Sequence, residues 1–137
     1  MSTMIFVNLP VKDLAKSTEF YEGLGYKRNP AFSDDNASCI VVSEEIFLML
    51  LVEPFFKTFT KKEIVDASTS TEAILCISAE SREAADALAD KALSSGGSFS
   101  NEPMDEGFMY GRSFQDPDGH LWEIMWMDPA AATGEQP

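Results

Sequence analysis

The stretch "GRSFQDPDGHLWEIMWMD", Gly111–Asp128, decides how the chain is read. It spells strand, tight turn, strand. "DPDG", Asp116 to Gly119, supplies the turn, because Asp bonds its own backbone and Gly accepts the left-handed conformation that the last turn position asks for. In the second strand a carboxylate, Glu123, stands between Trp122 and Ile124. Strand side chains alternate, so Glu123 shares a face with Leu121, Met125 and Met127, and Trp122, Ile124 and Trp126 share the other. The bulkier tryptophan set is expected against helices, leaving Glu123 facing a cleft among Met and Leu. An ionised carboxylate there must be solvated, hydrogen-bonded or protonated. Three readings stay open: a charge on a wet face or bonded to a neighbour such as Asn8 or Arg112, a ligand-contacting or acid–base group, and a metal ligand.

Upstream of that hairpin, "AILCIS" reads as a strand. Ser81 caps a helix whose stripe is Ala85, Leu88, Ala89, Ala92 and Leu93, and "GG" at 96–97 ends it. Strands are expected at 98–101, 108–115 and 120–127. Nearer the N-terminus the same order recurs. "MIFVNLPV" is a strand, Asp13 caps a helix carrying Leu14, Ser17, Phe20, Tyr21 and Leu24, and "GLGY" stops it. "YKRNP", "SCIVVS" and "IFLMLLV" follow as strands. Both halves are therefore β-α-β-β-β. Unit one spans 4–52 and unit two 73–128, forming one module over 1–129. A connector covers 53–72: "EPFFKTF" reads as extended and aromatic, and "TKKE", Thr60 to Glu63, as a capping box before a short helix. The tail 130–137 has no periodicity and is expected to be disordered. The fold class is α+β: two paired units forming a curved, open, eight-stranded mixed sheet with helices outside.

A chain of 137 residues with 45% hydrophobic composition can bury a core without staples. Ten basic against 23 acidic residues give a net charge of −13, which disfavours nucleic acid and anionic membrane as partners. No apolar run reaches a membrane span of roughly 18 residues, and no signal peptide is evident. Cys39 and Cys76 lie in apolar strands and are expected to be core thiols of a cytoplasmic protein.

The paired units, with "LPVKDLAKSTEFYEGLGY" in the first and "GRSFQDPDGHLWEI" in the second, resemble the vicinal oxygen chelate superfamily. That superfamily includes glyoxalases, extradiol dioxygenases, fosfomycin-resistance enzymes and bleomycin-binding proteins, and within it the chain is most similar to lactoylglutathione lyase-like proteins. The resemblance covers roughly residues 4–128. It implies a cleft into which four strands each point one metal ligand, usually His, Glu or Gln. Carried over, those places fall on Phe6, on Leu48 or Met49 depending on register, on Ala73 and on Glu123. Only Glu123 is a ligand type, so no metal tetrad and no cofactor are expected. With His120 as the single histidine, a two-His-one-carboxylate iron site is excluded, and His120 itself reads as a turn residue.

The expected function is binding of a small molecule in an apolar cleft. Glu123 is the candidate catalytic group, and Asn8, Phe6, Met49, Phe55, Phe56, Tyr110, Arg112 and Met125 are the candidate ligand contacts. Arg112 offers a fork for an anion or pairs with a neighbouring acid. The alternative is a lyase or isomerase resembling lactoylglutathione lyase, with Glu123 as base or as the remaining ligand of a divalent metal. Open sheet edges and the habit of the family predict a homodimer.

Overall fold

The computed structural model describes residues 2–132. The chain divides into two compact units, Met1–Asp66 and Ala67–Pro137, so the boundary falls inside the expected connector.

Unit one runs β1 (Ile5–Val11), α1 (Leu14–Gly23), β2 (Lys27–Asn29), β3 (Ala37–Val41) and β4 (Ile46–Val52). Its sheet has the order β1-β4-β3-β2, with β1 parallel to β4 and the other pairs antiparallel. Helix α1 starts where the sequence asks it to: the Asp13 carboxylate accepts the Lys16 N–H at 3.0 Å. It ends at Leu24, followed by Gly25 at φ 104°, a conformation only glycine takes without cost. The helix packs on β3 and β4 and buries Ser17, Thr18, Phe20 and Tyr21. Beneath it Ile40 pairs with Leu48, and Ser38 with Leu50, on one face of the sheet; all four are buried. Burying side chains such as Phe20, Leu48 and Leu50 contributes about 1.5–3 kcal/mol each. The Thr18 and Ser38 hydroxyls share a hydrogen bond of 2.8 Å and satisfy each other.

The connector differs from expectation. "EPFF" is the short helix α2 (Glu53–Phe56), running into a 3-10 turn at Lys57–Phe59. Pro54 in its first turn favours this, since its missing N–H needs no partner there. No helix follows Thr60. Its hydroxyl instead accepts the Lys62 N–H at 3.0 Å, closing a local turn.

Unit two runs β5 (Ile74–Ser78), α3 (Arg82–Ser94), β6 (Met104–Asp105), β7 (Met109–Gln115) and β8 (Leu121–Met127), followed by the turn of helix α4 (Pro129–Ala132). Its sheet order, β5-β8-β7-β6 with β5 parallel to β8, repeats that of unit one. Ser81 caps α3 by accepting the Ala84 N–H at 3.0 Å, and Ala85, Ala89 and Ala92 are its buried stripe. Small alanines let α3 sit close on β7 and β8, against Phe114, Trp122 and Ile124. The "DPDG" turn forms as expected: the Asp116 carboxylate accepts the N–H groups of Asp118 and His120 at 3.0 and 2.9 Å, and Gly119 has φ 97°.

The eight strands thus make two open mixed sheets of four with helices packed on them, an α+β architecture. Residues 98–101 are not a strand. Ser98 makes an isolated bridge with Gln115, and the pairing strand is the shorter β6 beyond Pro103. Residues 129–132 close one helical turn that reaches into the expected tail 130–137, and 133–137 lie outside the described residues. Among the described residues no helix is long and apolar enough to cross a membrane.

Candidate functional site

Helix α3 takes one face of the second sheet. On the other face Glu123 pairs laterally with Cys76 of β5 and Ser113 of β7, and Met125 with Ser78 and Gly111. The alternation read from Gly111–Asp128 therefore holds: Trp122 and Ile124 are buried towards α3, while Glu123 and Met125 lie half-buried on the opposite side.

A cavity of about 230 Å³ opens on this face, lined by Asn101, Glu102, Met104, Ser113, Glu123 and Met125 among others. Its wall is the 101–104 segment, held by Ser113, whose Oγ accepts the Asn101 N–H at 2.9 Å and donates to the Asn101 carbonyl at 3.3 Å. Glu123 forms no hydrogen bond or ion pair with another described residue. Beside it Cys76 is exposed rather than a core thiol; partial burial first, and then the Glu123 charge, push its pKa up, so it is a poor nucleophile. Cys39 is the buried one, and neither is in a disulfide.

Arg112 also borders this cavity, but its guanidinium and the Tyr110 ring point elsewhere. Both side chains turn to α3, where Arg112 bridges Asp86 at 2.7 Å and Asp90 at 2.9 Å, and the Tyr110 hydroxyl donates to Asp86 at 2.5 Å. The Tyr110 and Arg112 bonds hold Asp86 below the usual carboxylate range. The guanidinium fork is filled, so Arg112 neither clamps an anion nor partners Glu123. Odd-numbered Glu123 and even-numbered Arg112 stand on opposite faces because β7 and β8 pair Arg112 with Ile124. A second latch closes the same end: Arg82 grips both Asp105 oxygens at 2.8 and 2.9 Å and lies 5.0 and 5.2 Å from the Tyr110 and Trp126 ring centres.

In unit one, Phe6, Asn8 and Met49 share the face away from α1. Phe6 stacks on Phe47 at 4.9 Å, Asn8 pairs with Met49, and the Asn8 amide donates to the Phe6 carbonyl at 3.4 Å. Helix α2 packs on β1 and β4; its Phe55 and Phe56 are half-buried, with Phe55 edge-to-face on Phe59.

The two units can be superposed by register. Phe6 stands seven residues before the cap Asp13, and Ile74 seven before the cap Ser81. Phe6 pairs with Phe47 and Ile74 with Leu121; Asn8 pairs with Met49 and Cys76 with Glu123. This settles the one place the sequence left open and corrects a second, expected at Ala73. Met49, not the fully buried Leu48, is the counterpart of Glu123, and the first-strand place of unit two is Ile74, not Ala73. Phe6, Met49 and Ile74 carry no metal-binding atom of the required kind, so the family's four-ligand site does not fit this chain; one carboxylate cannot hold a divalent ion against water.

A different group, Asp116, Asp118 and His120, has potential ligand atoms within 4.8 Å of one another. These atoms already build the turn: Asp116 accepts two backbone N–H groups, and the buried His120 sets Nδ1 3.2 Å from a Glu72 oxygen. His120 is thus a side-chain anchor of the turn. The cavity residues the sequence did not reveal are Asn101, Glu102 and Ser113. The available signal was Pro103, which breaks a strand before Met104.

Residues 3–124 match the model of the Glyoxalase/Bleomycin resistance protein/Dioxygenase superfamily, and the chain belongs to that superfamily. Among solved structures it is similar to the hypothetical protein SA1046 from S. aureus, at 27% identity and TM-score 0.76 over 92% of this chain and 95% of that one. A glyoxalase/bleomycin resistance protein/dioxygenase family enzyme from Burkholderia phytofirmans PsJN shares the fold at 14% identity and TM-score 0.75, over 92% and 99%. So does a bleomycin resistance determinant encoded on the transposon Tn5, at 18% identity and TM-score 0.65, over 93% and 99%. No curated protein matches the chain.

Proposed function

We propose that this protein binds a small organic molecule against the Glu123 face of its second sheet, without the metal set used by chelating members of the superfamily. The observation that carries the reading is the donor count: of the four ligand places, Phe6, Met49, Ile74 and Glu123, three are apolar, while Glu123, beside a methionine-lined cavity, has no hydrogen-bond or ion-pair partner among the described residues. Sequestration needs an apolar surface and a few polar groups and no metal. Elemental analysis of the purified protein, with mass spectrometry of small molecules released on denaturation, tests it. The expected result is no stoichiometric metal; one equivalent of Zn, Ni, Mn or Fe, lost in Glu123→Gln, would overturn it.

A second reading gives the same carboxylate work as a general base in a lyase or isomerase, favoured by its lack of a partner among the described residues. In that case Glu123→Gln abolishes turnover and leaves ligand affinity within a few-fold. We also propose a two-fold homodimer in a reducing cytoplasm. Exposed Ile5 and Phe6 on edge strand β1, exposed Ile74 on edge strand β5, and two free cysteines support it, and light scattering reads the assembly.

A further inference from the structure

We infer that the molecule held at the Glu123 face is an organic cation with a small apolar body, its positive group against Glu123 and its body against Met104 and Met125. The inference rests on the reading that this face binds a small molecule. The charged residues lining the cavity are Glu102, Glu123 and Arg112, and the Arg112 guanidinium is turned to α3, where Asp86 and Asp90 hold it. From residue 67 onward the other basic side chains are Arg82 and Lys91. Arg82 is spent on Asp105, and Lys91 lies on the exposed side of α3. Ser113, the nearest hydroxyl on the pairing strand, is committed to both polar atoms of the Asn101 backbone.

A ligand carboxylate or phosphate would therefore meet two like charges, with every Lys and Arg of the second unit's described residues either paired with an acid or exposed on α3. An ammonium or amidinium gains a charge-assisted hydrogen bond from a carboxylate that has none among the described residues. The polarisable thioethers of Met104 and Met125 adapt to an alkyl or aryl body. A cavity of about 230 Å³ suits a body about the size of one aromatic ring.

The test uses the full chain labelled with ¹³C-methyl methionine and three matched probes: benzylammonium, benzyl alcohol and benzoate. Benzylammonium should shift the Met104 and Met125 methyl signals saturably, and Glu123→Gln should weaken it about ten-fold, the worth of a hydrogen bond to a charged group. Glu83→Gln, which removes an exposed charge on α3 outside the cavity, should leave it unchanged. If both substitutions weaken benzylammonium equally, the attraction is that of net charge alone and the assignment falls. If benzoate or benzyl alcohol binds these methyls as tightly as benzylammonium, the face is a small-molecule site but the cation assignment is wrong. If none of the three moves either methyl at about 10 mM, where fragments of this size show any real affinity, the binding reading falls with it.

Discussion

Met125 lies across Gly111. The two are paired in the β7–β8 ladder, and a Cβ placed at 111 would collide with the Met125 Sδ. Glycine there lets the thioether lie flat on the strand as the cavity floor. Gly111 does not have a positive φ, so alanine fits its backbone and should cost less than about 1 kcal/mol, because a flexible methionine end can move. Displaced, Met125 should rise into the cavity. Gly111→Ala should keep its melting temperature within a few degrees and weaken any Met125-contacting ligand, measured on the same samples; unchanged affinity would show that Met125 is not the floor.

Gly119 is the opposite case. Its φ is 97°, and a Cβ there would lie 2.6 Å from the Ala67 carbonyl oxygen and 3.0 Å from the Ser68 nitrogen, backbone atoms that cannot step aside. Gly119→Ala should cost about 2–4 kcal/mol, from the left-handed backbone and the clash together. Urea unfolding checks it, and a loss under about 1 kcal/mol would mean that the 67–68 segment yields.

The strand alternation that places Glu123 was legible because period two is a property of the backbone. So were both helix caps, Asp13 and Ser81, and the Asp116–Gly119 turn, since each is a local bond between a side chain and a nearby N–H. Which face a neighbouring strand presents was legible for β7 alone, yet whether Arg112 met a ligand or an acid depended on α3, 22 residues away in Asp90's case. The sequence signal at 98–101 failed for a similar reason: the segment's backbone bonds go to Ser113 and Gln115, a choice made by tertiary contact and not by propensity. "EPFFKTF" was misread because aromatic residues favour strands on average, while a proline in the first turn starts a helix.

Arg112 holds the sheet to α3. Its side chain is 17% exposed and is shared by the half-buried Asp86 and the exposed Asp90. Screening therefore discounts the bridge, and Arg112→Ala should destabilise by about 1–3 kcal/mol, between the exposed and buried limits. Ligand affinity should stay within two-fold, because the guanidinium faces away from Glu123. A ligand lost without loss of stability would return Arg112 to the binding site.

Asp105 gives the acid limb of stability a named contributor. The Arg82 hydrogen bonds, followed by the Gly107 N–H, lower its pKa from 3.8 to about 2. A carboxylate depressed in the folded state stabilises above its ordinary value and loses that contribution as pH falls through the folded one. The melting-temperature gap between wild type and Asp105→Asn should be constant above about pH 5 and close between about pH 4 and 2. It should also narrow with salt, since the pair is exposed. A gap that persists at pH 2 would assign the effect to something other than this charge.

Metal-independent binding at Glu123 is tested most directly by titrating a fragment set into metal-stripped protein while following the Met125 methyl signal. At least one fragment should move that signal saturably in the presence of EDTA, and Glu123→Gln should weaken it by about ten-fold. If no fragment moves Met125 until a divalent ion is added, and the ion's effect vanishes in Glu123→Gln, then Glu123 is a metal ligand after all and the account is wrong.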